Sequence, residues 1–220
     1  MKAKTHLNRL VRLGIRYRPG RSTRRALGLR LACAATVLFA FTLGLPTVWA
    51  QDQPTTFQVT STTFVNGGAL PLSMVNNPCQ YHPGGGNKSP ELSWTNVPVG
   101  TRRFIVIAFD VTASFTHWAM YNIASRSTGL PQNAGVTNSP DGPQVLNGFG
   151  EPRYNGPCPP PENPPSHTYA FNVYALDIVL PTLPTNGSFP PGSDTLYHAM
   201  ITAARTGHIL SSATIEGHFP

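Results

Sequence analysis

One apolar run constrains the fold more than any other feature of the sequence. Residues 103–110 read RFIVIAFD, an almost continuous apolar segment of strand length. A run without the alternation of a half-exposed strand is typical of a strand that is buried on both faces. The sequence therefore predicts a central buried strand at this position.

Further strand patterns lie on both sides of the central strand. Segments with alternating or β-branched and aromatic residues are 55–64, 92–94, 117–123, 167–178 and 209–219. One segment, 193–206, has helical spacing, with Ser193 or Asp194 as the expected N-cap and Gly207 as the expected stop. This order predicts a mostly β domain of antiparallel sheets packed face to face, with one or two peripheral helices.

The first fifty residues differ from the rest in charge and hydropathy. Ten of the sixteen Lys and Arg residues lie at or before Arg30, and an apolar run follows at 31–45, with small residues at Val48 and Ala50. This pattern predicts a secretion signal cleaved after Ala50, with an uncleaved anchor as the alternative. Paired arginines within 23–27 leave the route, twin-arginine or general, open. We expect an exported protein, located in the periplasm or outside the cell.

The net charge changes sign when this leader is removed. Residues 51–220 hold the other six basic residues and all nine acidic residues, so their formal charge is 6 − 9 = −3. A domain of this charge gives no indication of nucleic-acid binding. We expect no nucleic-acid partner.

Two of the three cysteines lie in the part that folds. Cys79 and Cys158 both fall in loops rich in glycine and proline. In an oxidising compartment such a pair favours a disulfide, and two separate buried thiols are the alternative. Closing a loop of about 80 residues would stabilise the fold by roughly 4 kcal/mol in the chain-entropy model.

Candidate functional residues stand at the ends of the predicted strands. Asp110 ends the central strand, His117 begins the next one, and His167 begins a later one with Tyr169 on the same face. Since loops gather at sheet ends, we expect these side chains to meet the stiff turn at 155–161, which reads NGPCPPP. Taken singly, each histidine has the alternative of a structural or surface residue.

These residues belong to a longer set of motifs. In chain order they are 87–94 (NKSPELSW), 97–101 (VPVGT), Asp110, 117–123 (HWAMYNI), 130–131 (LP), 147–150 (NGFG), 156–160 (GPCPP), 167–177 (HTYAFNVYALD) and 207–210 (GHIL). In order and spacing the set resembles the phosphatidylethanolamine-binding protein family, in its bacterial Raf-kinase-inhibitor-like branch. The resemblance implies that 79–220 is the family domain, preceded by an N-terminal strand region at 51–78.

The resemblance also implies a small pocket that accepts anions. Its residues, carried over position by position, are Asp110, His117, Gly156, Pro157, His167 and Tyr169. The implied function is binding of a phosphate-type anion or a phospholipid headgroup, with a regulatory or inhibitory role, and not catalysis. No cofactor and no metal are expected, and a homodimer is left open.

Two other functions remain as alternatives. One is an envelope protein that docks an unknown partner, such as a kinase or protease, without a small ligand. The other is an enzyme in which Asp110, His117 and His167 serve as metal ligands or acid–base groups. If the histidines bind an anion as imidazolium ions, affinity should fall as the pH rises through about 6–7.

Three departures from the family pattern concern the pocket and the chain end. The loop after Asp110 reads VTASF and lacks the family's proline and second aspartate, and Thr168 stands where the family has arginine. Whether these changes abolish anion binding is left open. No eukaryotic-type C-terminal helix is expected after Phe219.

Overall fold

Eight β-strands, one α-helix and a 3-10 turn make up the regular structure of the described residues. The computed structural model describes residues 56–161, 165–185 and 190–220. Its strands are β1 (Gln58–Thr60), β2 (Gly68–Ala69), β3 (Leu92–Thr95), β4 (Arg103–Asp110), β5 (Phe115–Ala124), β6 (Gly129–Leu130), β7 (His167–Leu176) and β8 (Ile209–Phe219). The helix α1 spans Ser193–Arg205, and a 3-10 turn spans Leu72–Met74.

The strands form two sheets. The larger has the order β2-β8-β7-β4-β5 and the smaller the order β1-β3-β6. All neighbours are antiparallel except β2 and β8, which run parallel. The prediction of a mostly β fold with antiparallel sheets is therefore confirmed.

Strand β4 contributes to two cores, one on each face of the larger sheet. Phe104 and Val106 face the small sheet, where they join Trp94 of β3 in one buried cluster. Ile105 and Ile107 face the opposite way and join a second cluster that includes apolar residues of α1. Because both faces of β4 are covered, polar residues cannot occupy every second position of the strand. This explains the continuous apolar run.

Some local predictions differ from the structure. The first strand is only Gln58–Thr60, because Thr62 beyond it hydrogen-bonds through its N–H to the Glu91 carboxylate, at 2.7 Å, instead of continuing the strand. The N-cap of α1 is Gly192 and makes no side-chain cap, so the assignment of Ser193 or Asp194 was wrong. Gly192 lies in a bridge with Leu146, and the helix can begin only after that pairing ends.

The predicted leader, residues 1–50, lies outside the described residues. The described part belongs to one unit that runs from Ala50 to Pro220. Within this described part, no helix has the length and apolar character needed to cross a bilayer.

Candidate functional site

Three neighbouring strands bring the predicted polar residues to one end of the larger sheet. Asp110 at the end of β4 is in register with Phe115 on β5 and with Tyr169 on β7. His117 and His167 lie within two residues of those positions along the same strands. Asp110, His117, His167 and Tyr169 all line one cavity of about 180 Å³.

The Asp110 carboxylate is the centre of this cluster. It is buried, with 2% of the residue exposed. One oxygen, Oδ2, accepts a hydrogen bond from Nδ1 of His167 at 2.7 Å, and the other, Oδ1, accepts one from the Ala113 N–H at 2.9 Å. The short 111–114 turn therefore holds the carboxylate from one side, without the proline and second aspartate of the family pattern.

His117 is held in one tautomer by the main chain. Its Nδ1 lies 2.7 Å from the carbonyl oxygen of Asn155. Because a carbonyl only accepts, Nδ1 carries the hydrogen, as inferred from the hydrogen-bond network. The other ring nitrogen, Nε2, is 4.0 Å from Oδ2 of Asp110, which is too far for a hydrogen bond.

Burial favours the neutral form of this imidazole. It is the largest influence on His117 and lowers the pKa of the ring below its ordinary value, although the Asn155 carbonyl and the Asp110 carboxylate oppose the shift. The neutral ring then presents an unprotonated Nε2. This nitrogen can accept a hydrogen bond but cannot donate one.

Tyr169 supplies a hydroxyl that stays protonated. Burial, and then the negative charge of Asp110, raise the pKa of the Tyr169 hydroxyl above its ordinary value. Its ring lies 5.3 Å from the His117 ring in an edge-on contact and 6.3 Å from the stacked His167 ring, centroid to centroid. The phenol is therefore a hydrogen-bond donor packed between two imidazoles.

Gly156 and Pro157 do not line this cavity. The Gly156 N–H donates to Oδ1 of Asn87 at 2.8 Å, and Pro157 has no N–H. A Cβ on Gly156 would lie 1.7 Å from the Met74 carbonyl oxygen, so the glycine permits a close contact between two loops. Their predicted role as ligand-binding residues remains a prediction, and the contacts that they make hold the turn in place.

The next residues of the same turn do reach the cavity. Cys158, Pro159 and Pro160 form one of its walls. The Cys158 N–H is the first main-chain donor after Gly156, and it makes no hydrogen bond to a residue in the described part of the chain. Cys158 also forms the predicted disulfide with Cys79, with the two Cα atoms 5.7 Å apart.

Two asparagines, Asn147 and Asn155, position this wall of the cavity, and neither side chain had been assigned a function from the sequence. Nδ2 of the buried Asn147 lies 2.7–3.1 Å from the carbonyl oxygens of His117 and Arg153 and from Oδ1 of Asn155, so its two hydrogens are shared among three acceptors. Asn155 in turn fixes the His117 tautomer. The only sequence signal for Asn147 was its place in the NGFG motif, which does not show what the side chain contacts.

Two phenylalanines complete the rim. Phe115 contacts the ring of His117, with centroids 5.1 Å apart, and Phe149 contacts Phe115 at 4.9 Å. Phe149 is 47% exposed, so an aromatic side chain stands at the mouth of the cavity. The site thus combines an apolar rim with a polar floor, as small-ligand sites commonly do.

The metal alternative concerns the acidic and imidazole side chains of this cluster. Within the described ranges, no group of three or more His, Cys, Asp and Glu side chains is placed to hold a metal ion. The Asp110 carboxylate instead uses its oxygens for His167 and for the main chain of the turn.

The fold and the site together define a class: a two-sheet β domain with a carboxylate, imidazole and phenol cluster at one sheet end. A model of the family "Phosphatidylethanolamine-binding protein" matches residues 60–220. The chain belongs to this family. The match includes β2 and the 3-10 turn, which precede residue 79.

Relatives and solved structures agree with this assignment. The chain is 40% identical to the protein YbcL of Escherichia coli over 134 residues, which cover 56% of this chain and 70% of YbcL. It is 35% identical to a relative from Aquifex aeolicus over 170 residues, covering 73% of this chain and 86% of the relative. The crystal structure of E. coli YbcL, described as a member of the mammalian PEBP family, matches with a TM-score of 0.61 and 31% identity, over 75% of this chain and 98% of YbcL.

Proposed function

We propose that the chain is an exported binding protein whose cavity takes a phosphate-type anion, either free or as the headgroup of a phospholipid. The observation that supports this most directly is the convergence of Asp110, His117, His167 and Tyr169 on one cavity of about 180 Å³. The family name, which describes binding of a phospholipid, supports the same ligand class.

Asp110, His167 and Tyr169 have separate roles in this proposal. Asp110 orients His167 by accepting from Nδ1, and in the imidazolium form Nε2 of His167 donates to the ligand. The Tyr169 hydroxyl would exchange its hydrogen bond to Asp110 for one to a phosphate oxygen, and the Cys158 N–H would donate to a second oxygen. The two phenylalanines of the rim exclude water from the bound group. A regulatory or inhibitory role in the envelope would act through occupancy of this pocket.

Calorimetric titration tests the binding proposal. Inorganic phosphate and phosphoethanolamine are titrated between pH 5 and 8 into the wild type and into the double variant His117→Ala, His167→Ala. We expect binding by the wild type and at least a roughly tenfold loss in the double variant, since each lost charged or polar contact contributes about 1–3 kcal/mol. His198→Ala, an exposed change on α1, is the matched control and should bind like the wild type.

Two results would contradict the proposal. They are the absence of heat at every pH, or equal affinity in the wild type and the double variant. If the protein instead acts by docking a partner through its surface, that activity should persist in the double variant.

Export is a separate part of the proposal. It is supported by the basic and apolar leader and by the Cys79–Cys158 disulfide, which belongs to an oxidising compartment. We expect protein recovered from its native cells to begin at Gln51. Mass spectrometry of the N-terminal peptide measures this, and a chain that keeps Met1 in the cytoplasmic fraction would contradict export.

A further inference from the structure

A second cavity, larger than the first, lies beside the segment that carries Arg153. Its volume is about 470 Å³, which is ordinary for a small-molecule site, and it shares no lining residue with the cavity at the sheet end. Five polar side chains line it, and we name this group the polar cleft: Asn77, Asn87, Asn133, Thr137 and Arg153. Among the described residues of its lining, Arg153 is basic and none is acidic.

Hydrogen bonds between loops that are distant in sequence hold the walls of the polar cleft. The buried Ser89 accepts from the N–H of Asn133 through its carbonyl oxygen and from the N–H of Gly135 through its hydroxyl, both at 2.9 Å. The carbonyl oxygen of Gly135 in turn accepts from the N–H of Tyr154, next to Arg153, at 2.7 Å. These contacts fix the main chain on two sides of the cleft, so a ligand would enter a site that is already formed.

Arg153 supplies the positive charge of the polar cleft. Its Nε donates to Oε2 of Glu151 at 2.8 Å, whereas Nη1 and Nη2 donate to no described residue. These two nitrogens form the end of the guanidinium fork, which fits the two oxygens of a carboxylate. Because Glu151 already offsets part of the charge, a singly charged group suits this position better than a doubly charged phosphate.

The other side chains of the polar cleft are neutral and can both donate and accept. Each asparagine has a carbonyl oxygen and an NH2 group, and Thr137 has a hydroxyl. Asn87 uses its Oδ1 for the Gly156 N–H and keeps its Nδ2 hydrogens. Within the described ranges, no internal hydrogen bond engages the side chains of Asn77, Asn133 and Thr137. Such groups pair well with ligand hydroxyls, because a hydroxyl also donates and accepts.

We propose that the polar cleft is a second binding site, for a sugar acid, that is, a molecule with one carboxylate and several hydroxyl groups. The carboxylate accepts from Nη1 and Nη2 of Arg153, and the hydroxyls pair with the amides and the hydroxyl of the cleft. The same chemistry is offered by a free sugar acid and by a uronic acid residue of a glycan. The site is independent of the anion cavity of the proposed function, with which it has no lining residue in common.

A ligand series tests the chemistry of the site in the wild-type protein. Glucuronate, glucose and propionate are titrated by calorimetry at about pH 7, where carboxylic acids are ionised. Glucose lacks the carboxylate and propionate lacks the hydroxyls, so each should bind at least roughly tenfold more weakly than glucuronate. Methyl glucuronide distinguishes the two sources: an affinity at least equal to that of glucuronate indicates a glycan residue, and a lower affinity indicates a free sugar acid.

Two variants separate the contribution of the carboxylate from that of the hydroxyls. Arg153→Gln removes the charge, so glucuronate should lose at least roughly tenfold in affinity while glucose binds as before. Asn133→Gly removes one amide and keeps the left-handed backbone that Asn133 adopts, with a φ of 69°. It should weaken the binding of glucuronate and of glucose by the same factor, roughly three- to tenfold.

Matched controls make the same changes outside the polar cleft. Arg205→Gln removes an exposed charge at the end of α1, and Asn96→Gly removes an amide at another left-handed position, with a φ of 55°. Both should bind glucuronate like the wild type. Near-ultraviolet circular dichroism checks that the variants are folded, and the wild-type ligand series decides the question if one is not.

Amide chemical shifts in isotope-labelled wild-type protein locate the bound glucuronate. The N–H signals of Val136 and Thr137, which line the polar cleft, should shift, and those of Cys158 and Tyr169, which line the anion cavity, should not. His167→Ala changes only the anion cavity and should bind glucuronate like the wild type.

The outcomes separate this inference from the proposed function. No glucuronate binding by the wild type, wild-type affinity in Arg153→Gln, or shifts confined to Cys158 and Tyr169 would each overturn the inference and leave the anion cavity untouched. Glucuronate binding without any binding of phosphate or phosphoethanolamine would support the inference and overturn the proposed function.

Discussion

The large sheet carries two aspartate–histidine pairs, one near each end of β7. At one end Oδ2 of Asp110 lies 2.7 Å from Nδ1 of His167, and at the other Oδ1 of Asp177 lies 2.9 Å from Nδ1 of His208. In both pairs Nδ1 of the histidine contacts a carboxylate oxygen of the aspartate, at nearly the same distance. The side chains differ in exposure, which is 14% and 3% in the first pair and 39% and 38% in the second.

The difference between the pairs comes from what covers them. The 111–114 turn and the loop at Cys158–Pro160 close over the Asp110 pair, and a second histidine and a tyrosine share its cavity. The Asp177 pair is half exposed, and water can replace either partner. The pair in the candidate site therefore differs from the exposed pair in its burial and not in its hydrogen-bond geometry.

The largest expected effect of this difference is on stability. Asp110→Ala removes the acceptor of His167 Nδ1 and of the Ala113 N–H while both remain partly buried, and we expect a loss of about 3 kcal/mol in the free energy of unfolding. Asp177→Ala breaks an exposed pair and should cost about 0.5 kcal/mol or less. Urea denaturation of the two variants and the wild type, monitored by circular dichroism, measures both values.

Equal losses in the two variants would contradict the role given to burial. In that case pair geometry alone would set the contribution of each aspartate. A second check is the urea dependence of the unfolding free energy, which should be similar in all three proteins if the variants unfold from the same compact state.

The long strands were predictable because their signal is local. The continuous apolar run of β4 gave its bounds, Arg103–Asp110, and the pattern at 209–219 gave those of β8. Strands β2 and β6 have two residues each and were not predicted, because such short pairs are defined by partners distant in sequence and leave no periodicity. The N-cap of α1 was missed for the same reason, since the bridge between Leu146 and Gly192 decides where the helix begins.

In the candidate site, too, the features with a local sequence pattern were predicted and those set by contacts distant in sequence were not. Placing Asp110, His117, His167 and Tyr169 together needed only the rule that strand ends share a sheet edge, and the structure brings all four to one cavity. The tautomer of His117 could not be predicted, because it depends on the Asn155 carbonyl, 38 residues away. The contact of the Gly156 N–H with Asn87 could not be predicted either, because Asn87 lies 69 residues away in another loop.

A smaller effect should appear in the pH dependence of stability. Burial lowers the pKa of His117 in the folded state below the value of about 6.5 that an unperturbed histidine has when unfolded. Above that pH the ring is neutral in both states and contributes no dependence. Below it the unfolded chain binds a proton that the folded chain does not, so stability falls as the pH falls, by at most about 1.4 kcal/mol per pH unit.

His117→Gln should remove this part of the pH dependence. We expect the wild type to lose more unfolding free energy between pH 7.5 and 5.5 than the variant does, by about 1 kcal/mol. His198→Gln on α1 is the matched control, because that side chain is exposed and should leave the wild-type slope unchanged. Stability of the wild type that rises toward pH 5.5 relative to His117→Gln would mean that the folded protein holds the ring as imidazolium. In that state Nε2 of His117 would be a hydrogen-bond donor and could contact an anion directly.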